Sequence, residues 1–306
     1  MAAYLFSHFA GEKSDGEQVY FAVSRDGLHW QDLNDGHPVL CSTLGTCGVR
    51  DPFLVRHPIS RKIYLIATDL CIGAKADWGA AQTSGSRDIL VWETEDIVHW
   101  SQERTCMVGL SNAGCVWAPE ALYDQSKNAF FMFFSSNVKN DGDERAKHRI
   151  YAAYTRDFRH FSKTFLYMEK KCDIIDTTIW VDKGLFYRIS KDEDSKRLIL
   201  ESSDALLGEY TEIDSPQLQS LEGVEGPEMY LLPDGRTWCL IVDQFMLGKG
   251  YMPMVSRDLS AGTFQILDPR QYNLGKSFKR HGGVLPITED EYDRLVYTYG
   301  RGTYQK

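Results

Sequence analysis

Residues 19–30 read VYFAVSRDGLHW, an apolar stretch that ends in Ser-x-Asp and is followed a few residues later by an aromatic residue. Four further segments have this build, namely ILVWETEDIVHW (89–100), IYAAYTRDFRHF (150–161), LILESSDALLGEY (198–210) and MPMVSRDLSAGTF (252–264). Each segment predicts a β-strand, a tight turn in which the aspartate accepts hydrogen bonds from backbone amides, and a second strand packed through the aromatic residue. We therefore predict structural roles for Asp26, Asp96, Asp157, Asp204 and Asp258.

Five other segments alternate with these. They are GVRDPFLVRHPISRKIYLIATD (48–69), GCVWAPEALYDQSKNAFFMFFSS (114–136), CDIIDTTIWVDKGLFYRISKDE (172–193), GVEGPEMYLLPDGRTWCLIVDQ (223–244) and KRHGGVLPITEDEYDRLVYTYG (279–300). The first four predict a strand, a turn and a second strand, whereas TEDEY in the fifth predicts a helical turn. Joined to the first set, they give about four strands per unit in five units of roughly 50–70 residues. No amphipathic helix of about 12 or more residues separates the strands, which disfavours an α/β fold.

Five four-stranded units predict an all-β fold, a five-bladed β-propeller that occupies residues 1–306 as a single domain. The strands YLFSHFA (4–10) and VYFAVS (19–24) have no opening segment of their own. We expect them to join GGVLPIT in the last blade, which connects the two chain ends and removes two open sheet edges. The polar stretch NVKNDGDERAKHR (137–149) is interpreted as an insertion at a blade edge.

The chain of 306 residues is 43% hydrophobic, with a net charge of -9 and a pI near 5.4. This acidity argues against nucleic acid or an anionic membrane as a partner, and no apolar run approaches the roughly 18 residues of a transmembrane helix. The seven cysteines form no CxxC pair or zinc-ligand spacing, which favours buried reduced thiols. MAAYLFSHFAGEKSDGE is unlike a signal peptide, so we expect a cytoplasmic protein; a secreted form with its signal removed stays open.

The innermost strand of each propeller blade lines the central channel, so the residues at its start converge on one mouth. The positions that correspond are Asp51, Glu120 (or Trp117), Asp176, Glu225 and His281. Burying unpaired carboxylates costs free energy, so a cluster of them at the axis favours a functional site over a purely structural one. The alternative is that these acids only form turns or hold a central ion, since Asp-Pro and Glu-Gly-Pro are common turn sequences.

Two or three carboxylates in an aromatic-lined pit suit the cleavage of a glycosidic bond. One protonated acid donates to the leaving oxygen, and one ionised carboxylate activates water or attacks carbon. A third carboxylate close to the acid raises its pKa by like-charge repulsion.

Five motifs in this order resemble glycoside hydrolase family 43, whose members are five-bladed propellers with three acids in a central cleft. The motifs are VRDPF (49–53), VWAPEA (116–121), IIDTT (174–178), VEGPE (224–228) and RHGGVLPIT (280–288). The resemblance implies Asp51 as general base, Asp176 as pKa modulator and Glu225 as general acid of an inverting hydrolase. An inverting mechanism places the acid and the base roughly 6.5–9.5 Å apart. Glu228 is a rival acid that falls inside the strand.

The resemblance also implies surrounding residues. His281 matches a histidine that often approaches a central water or calcium ion, so a structural calcium at the axis is an alternative to a hydrogen-bonded core histidine; no cofactor is required. Arg188 is similar to an arginine that reaches the sugar, and its alternative is a solvated strand charge. We expect Trp117 and Trp78 to stack on a sugar face. Asp69 and Glu120 are expected to support the site through hydrogen bonds.

The implied partner is an oligosaccharide derived from the plant cell wall, and the leading substrate is a terminal α-L-arabinofuranosyl residue, with β-D-xylosyl second. A retaining fructosidase is disfavoured because NDPNG and a Glu-Cys segment are missing from the sequence. SRDGLHW comes close to the sialidase S-x-D-x-G-x-x-W box but is one residue short. A sugar-binding propeller without catalysis is the alternative from another class; it predicts the loss of at least one of the three acids.

Overall fold

The computed structural model describes residues 3–13, 15–73 and 77–300, within which twenty strands form five antiparallel four-stranded sheets. The chain starts in blade 5 with β1 (Ala3–Phe9), β2 (Tyr20–Ser24) and β3 (Gln31–Asp32). Blade 1 consists of β4 (Val49–Arg56), β5 (Ile63–Asp69), β6 (Asp88–Thr94) and β7 (Arg104–Met107). Blade 2 consists of β8 (Trp117–Asp124), β9 (Ala129–Val138), β10 (Lys147–Thr155) and β11 (Phe165–Met168).

Blade 3 consists of β12 (Ile174–Asp182), β13 (Leu185–Asp192), β14 (Arg197–Ser203) and β15 (Thr211–Glu212). Blade 4 consists of β16 (Glu225–Leu231), β17 (Trp238–Asp243), β18 (Tyr251–Ser256) and β19 (Gln265–Ile266). The last strand, β20 (Arg280–Ile287), returns to blade 5. The first strands of the blades, β4, β8, β12, β16 and β20, contact one another in a closed ring around the axis. The predicted all-β five-bladed propeller is confirmed.

Blade 5 joins the two ends of the described chain. Strand β1 pairs with β20 on one side and with β2 on the other, so that Leu5 lies opposite both Leu285 and Val23. Both pairings are antiparallel, and the predicted closure of the last blade by the N-terminal strands is confirmed. The ring therefore has no open inner edge between its first and last strands.

Four of the five aspartates of the repeated turns accept backbone hydrogen bonds as predicted. Oδ1 of Asp26 accepts from the amides of Leu28 and His29, each at 2.8 Å. Asp96 and Asp157 make the same pair of bonds in blades 1 and 2, and Asp258 accepts from the Ser260 amide. Asp204 is exposed in the turn after β14.

Three α-helices decorate the sheets: α1 (Trp78–Thr83), α2 (Pro216–Gln219) and α3 (Glu289–Tyr299). Helix α3 is longer than the single turn that TEDEY predicts, because Tyr292 and Leu295 continue its buried face into the core between blades 5 and 1. Its start is a capping box in which Thr288 and Glu291 satisfy each other's backbone amides. Within the described ranges no helix is long and apolar enough to cross a membrane.

Two sequence-based interpretations need correction. Residues 137–149 are not an insertion at a blade edge: they continue β9 and begin β10, and the loop between them lies at the same end as Trp117, which faces Ser135 in the sheet. The expectation of buried thiols is also wrong for most of the seven cysteines, which all lie in the described part of the chain and form no disulfide. Only Cys115 and Cys239 are buried, whereas Cys41 and Cys47 are exposed.

Candidate active site

A β-bulge interrupts the first strand of every blade close to the axis. The residues that occupy it are Asp51, Ala118, Asp176, Gly226 and His281. In blades 1 to 4 the bulged residue has a positive φ, between 46° and 53°. The left-handed conformation is costly for a residue with a side chain, and bulges commonly redirect side chains at functional sites. Here the bulges bring Asp51, Asp176 and His281 together at the axis.

This register corrects the alignment expected from the sequence. Glu225 lies one residue before the bulge, the place that Trp117 occupies in blade 2, and Glu120 lies two residues after it. Gly226 is the true counterpart of Asp51 in blade 4. A side chain there would collide with His281, since an added Cβ would lie 2.6 Å from its Cγ. The backbone amide of Gly226 instead donates to Oδ2 of Asp176 at 3.1 Å.

The bulges open into a cavity of about 560 Å³ at one mouth of the propeller. All five blades contribute to its lining, which consists of Glu12, Arg50, Asp51, Leu70, Trp78, Gln82, Trp117, Ile175, Asp176, Lys191, Glu193, Glu225, Phe245, Arg280 and His281. The three predicted catalytic acids thus share one cavity with both predicted tryptophans. Its size lies within the usual range for small-molecule sites.

Two aspartates flank the imidazole of His281. Nδ1 of His281 lies 3.4 Å from Oδ1 of Asp51 and 3.7 Å from Oδ2 of Asp176. Burial alone would lower the pKa of His281, but the Asp176 and Asp51 carboxylates raise it to about 10. The ring is therefore an imidazolium at neutral pH, and its charge offsets part of the cost of burying the aspartates.

The two aspartates differ in their ionisation. Burial alone would raise the pKa of Asp51, but His281, Arg50 and a 2.8 Å hydrogen bond from the Thr68 hydroxyl hold that pKa below its usual range. For Asp176, burial raises the pKa to about 6 against the opposing charge of His281, and the Glu225 carboxylate adds to the rise. Asp51 is thus an ionised carboxylate across the neutral range, whereas Asp176 takes up a proton near pH 6.

Glu225 is held by two cations. Oε2 accepts from Nζ of Lys191 and Oε1 from the guanidinium of Arg280, each at 2.8 Å. Burial alone would raise the pKa of Glu225, but Lys191 and Arg280 outweigh it and hold the pKa below its usual range. The carboxyl that the family resemblance implies as general acid is therefore ionised near neutral pH in the free domain.

The two tryptophans form a corner at one side of the cavity. Their rings are perpendicular, with centroids 6.2 Å apart. Trp117 is backed by the imidazole of His148, stacked at 5.2 Å, and Trp78 is 43% exposed. Trp78 begins helix α1 rather than lying in an irregular loop, and the predicted loop around it extends to residues 74–76, outside the described residues. The corner presents two apolar faces, which suits a sugar ring.

Glu120 and Glu228 lie deeper than the cavity and do not line it. Burial raises the pKa of Glu228 to about 8, and its backbone partner is the amide of Val284 at 2.7 Å. Burial and the charge of Glu228 also raise the pKa of Glu120. Glu120 therefore supports the axis from below, rather than binding sugar, and Glu228 is buried away from the cavity.

The prediction that Arg188 reaches the sugar is wrong. Its Nε donates to Oε2 of Glu201 at 2.7 Å, and its guanidinium lies over the ring of Tyr210, at 3.8 Å from the centroid. Arg188 lies in the middle of β13, about 10 Å from Lys191, which lies nearer the strand end and lines the cavity. The two residues are three positions apart, and because side chains alternate along a strand, Arg188 points to the opposite face. It forms a buried ion pair, not a solvated charge.

Asp69 also stays outside the cavity lining. Its Oδ1 accepts from the amide and the hydroxyl of Thr46, at 2.7 and 2.8 Å, which anchors the loop ahead of β4. The predicted supporting role through hydrogen bonds therefore concerns this loop rather than the sugar.

Sequence reasoning missed five charged lining residues and one aromatic: Glu12, Arg50, Lys191, Glu193, Arg280 and Phe245. A signal for two of them was present, because Arg50 and Arg280 each precede a bulge residue, in RD and RH. Lys191 lies on β13, the second strand of blade 3, and Phe245 lies in the turn that follows β17, the second strand of blade 4. The distance of such positions from the axis depends on packing.

The calcium expectation finds little support in the donor set. In the part of the chain that the structure describes, no group of three or more His, Cys, Asp or Glu side chains is arranged to hold a metal ion. The imidazolium of His281 already places a positive charge between Asp51 and Asp176. Calcium prefers a shell of oxygen ligands, which an imidazolium cannot join.

The propeller with a carboxylate-lined axial cavity defines the class of five-bladed carbohydrate-active domains. A family described as "Probable glycosyl hydrolase domain", related to glycoside hydrolase family 43, matches residues 1–293. The chain belongs to glycoside hydrolase family 43.

Individual relatives agree with this membership. An α-L-arabinofuranosidase of Bifidobacterium longum subsp. longum is 31% identical over 253 residues, 74% of this chain and 24% of the relative, so the chain spans about a quarter of that protein. A family 43 protein from Bacillus licheniformis has a TM-score of 0.58 at 14% identity, over 94% of this chain and 56% of that one. A family 43 β-1,3-galactosidase has a TM-score of 0.59 at 13% identity, over 90% and 58%. At these identities the two structures bear on the fold alone.

Proposed function

We propose that this domain is an inverting glycoside hydrolase that releases terminal α-L-arabinofuranosyl residues from oligosaccharides of the plant cell wall. The observation that carries the proposal is that Asp51, Asp176 and Glu225 line one cavity while each has a different set of partners. Glycoside cleavage needs carboxyl groups whose environments separate an acid from a base.

Asp51 is the proposed general base. It is ionised at neutral pH because His281, Arg50 and Thr68 lower its pKa. The hydroxyl of Thr68 also donates to it and accepts from the amide of Ala118, both at 2.8 Å, so the carboxylate is oriented by two neighbouring blades. A carboxylate fixed in this way can accept a proton from a water molecule as that water attacks the anomeric carbon.

Glu225 is the proposed general acid, and Asp176 its modulator. The acid must carry a proton before it can donate one to the glycosidic oxygen. Since Lys191 and Arg280 lower the pKa of Glu225, the protonated form is most abundant on the acid side of neutrality. We therefore propose an acidic pH optimum. Asp176, held by the Gly226 amide, is the proposed modulator, because a carboxylate disfavours ionisation of a neighbouring acid while it is itself ionised.

The arabinofuranosyl specificity is supported by the Bifidobacterium longum relative, which is an α-L-arabinofuranosidase. The leading alternative is a β-D-xyloside, because the cleft residues that separate the two sugars are few. The rings of Trp78 and Trp117 are perpendicular and offer two apolar faces on one side of the cavity, which favours a single terminal ring over a continuous chain.

Hydrolysis of an α-L-arabinofuranosyl disaccharide by wild type and by Asp51→Asn and Glu225→Gln tests the proposal. Each variant should lower kcat/KM by about 10²–10⁴-fold, because each removes a proton-transferring group. With p-nitrophenyl α-L-arabinofuranoside, Glu225→Gln should lose less, since nitrophenolate leaves without a proton. Proton NMR of the first product should show the inverted anomer.

Glu222→Gln is the matched control, since Glu222 lies in the same segment but is exposed and pairs with Arg197. It should behave as wild type. A wild type that hydrolyses neither arabinofuranosides nor xylosides would overturn the proposed activity, and full activity in Glu225→Gln would overturn the assigned acid.

A further inference from the structure

A short apolar turn borders the cavity beside Glu225. It follows β17 as a single 3₁₀ turn, Phe245–Leu247. Phe245 lines the cavity, while Met246 and Leu247 are 65% and 60% exposed. Exposed apolar side chains that cluster at the rim of a site commonly mark a surface that a ligand covers.

The turn is built against the segment that leads into Glu225. The amide of Met246 donates to the carbonyl of Gly223 at 3.3 Å, and an added Cβ on Gly223 would lie 2.6 Å from Cβ of Met246. Gly223 has a φ of 67°, and Gly248 ends the turn with a φ of 59°. The position of the apolar turn is therefore coupled to the strand that carries the proposed acid.

A single ammonium group separates the Phe245 ring from Glu225. Nζ of Lys191 lies 4.2 Å from the centroid of Phe245 and 2.8 Å from Oε2 of Glu225. A general acid must reach the oxygen of the bond that breaks, so the group that departs with that oxygen lies on the side of Glu225. On this side Phe245 is the aromatic ring that lines the cavity, whereas Trp78 and Trp117 belong to blades 1 and 2.

We propose that Phe245, together with Met246 and Leu247, forms a leaving-group subsite that takes a neutral saccharide ring against its apolar C–H face. This inference rests on the proposed function and names the half of the substrate that the function leaves open. The carboxylates of Glu12 and Glu193 also line the cavity and pair with Arg280 and Lys191, the two cations that hold Glu225. Because these two cations already have carboxylate partners, a neutral leaving group fits this side better than one that carries a carboxylate.

Two substrates with the same chemistry at the broken bond test the subsite. Methyl α-L-arabinofuranoside and an α-L-arabinofuranosyl disaccharide both release an alkoxide that needs a proton from Glu225, but only the disaccharide places a ring beside Phe245. The measured quantity is the ratio of kcat/KM for the disaccharide to kcat/KM for the methyl glycoside. Phe245→Ala should lower this ratio by about tenfold, a typical cost of truncating an aromatic contact.

Phe245→Trp should keep most of the ratio, because it preserves a flat apolar face. Met107→Ala is the control, since Met107 on β7 of blade 1 is as exposed as Met246, at 65%, and does not line the cavity. An unchanged ratio in Phe245→Ala would overturn the subsite. This holds even if kcat/KM falls equally for both substrates, because an equal loss would mean that the substitution acts on Glu225 through Lys191. Wild type that cleaves neither substrate would instead count against the proposed function.

Discussion

Asp51 and Asp176 show how neighbours give two residues of one type different chemistry. Both approach Nδ1 of His281, at 3.4 and 3.7 Å. The pKa of Asp51 is lowered because His281, Arg50 and the Thr68 hydroxyl outweigh burial. The pKa of Asp176 is raised to about 6 because burial dominates and the Glu225 carboxylate lies nearby. The separation of the proposed base from the proposed modulator therefore depends on hydrogen bonds and charges from their own blades and from other blades.

Lys191 should control the pH dependence of the reaction. Its ammonium lowers the pKa of Glu225, and an acid catalyst stops working as pH rises through its own pKa. Lys191→Met removes the charge, so the pKa of Glu225 rises and the alkaline limb of the kcat/KM profile should move to higher pH. A pH–rate profile with a neutral substrate measures the shift.

Lys191→Arg is the control for this shift, since it keeps a positive charge beside Glu225 and should leave the limb near its wild-type pH. Movement of the limb to lower pH in Lys191→Met would contradict the assignment of Glu225 as the acid. A lower rate with no shift of the alkaline limb would mean that Lys191 acts only as a structural contact.

The bulge in each inner strand is the element that organises the site. The bulges turn Asp51, Asp176 and His281 toward one another. The hydroxyl of Tyr251 connects two of the inner strands at this level. That hydroxyl donates to the Gly226 carbonyl at 3.0 Å and accepts from the Gly282 amide at 2.9 Å. Bulge geometry is stored strain at a functional site, compensated by the contacts around it.

Gly226→Ala should therefore destabilise the domain more than a comparable change elsewhere. A left-handed residue with a side chain costs about 1–2 kcal/mol, and overlap with His281 adds about 1–3 kcal/mol. Gly235→Ala separates the two terms, because Gly235 has a φ of 67° and nothing within 4 Å of an added Cβ. Urea denaturation measures both variants. Equal losses of the free energy of unfolding would show that packing against His281 contributes nothing.

The site belongs to the whole ring. Asp51, Trp117, Asp176, Glu225 and His281 come from blades 1 to 5 in turn, so the cavity requires that β1 close the sheet of blade 5. A closed ring also buries several ionisable groups at its axis at once. The protonation of these groups is consequently tied to the stability of the entire propeller.

The free energy of unfolding should decline from pH 6 to pH 10. The pKa of His281 is raised from 6.5 to about 10, so its stabilising contribution is fully present below pH 6.5 and is lost as pH rises through about 10. The pKa of Glu228 is raised from 4.5 to about 8, so its contribution is lost over pH 4.5–8. In both cases the folded state binds more protons than the unfolded state, and raising the pH favours unfolding.

Urea denaturation at pH 6, 8 and 10 tests this slope. Glu228→Gln should make the decline between pH 6 and 8 less steep and leave the decline above pH 8, to which His281 contributes. Glu95→Gln is the control, because Glu95 is 83% exposed and should leave the slope unchanged. A wild-type stability that is constant or rises over this range would contradict the predicted protonation of the axis.

Local patterns in the sequence determined the strands, the turns, the five units and the closure through the N-terminal strands. Alternation of apolar residues and Asp-centred turns are properties of neighbours in the chain, so they can be recognised without the fold. The five axial motifs likewise carried the family and the three acids that share the cavity. The prediction for Arg188 failed because the pattern of a strand does not reveal how deep a charged side chain lies within a blade or which face it occupies.

Only the tertiary structure decided which side chains meet. The bulge offsets Glu225 by one residue from Asp51 and Asp176, and the partners that hold its charge, Lys191 and Arg280, are 34 and 55 residues away in the chain. The same packing brings Phe245 to the acid and places Glu228 beneath the cavity. Contacts between blades depend on twist, bulges and side-chain volume over such separations, and these are set when the ring closes.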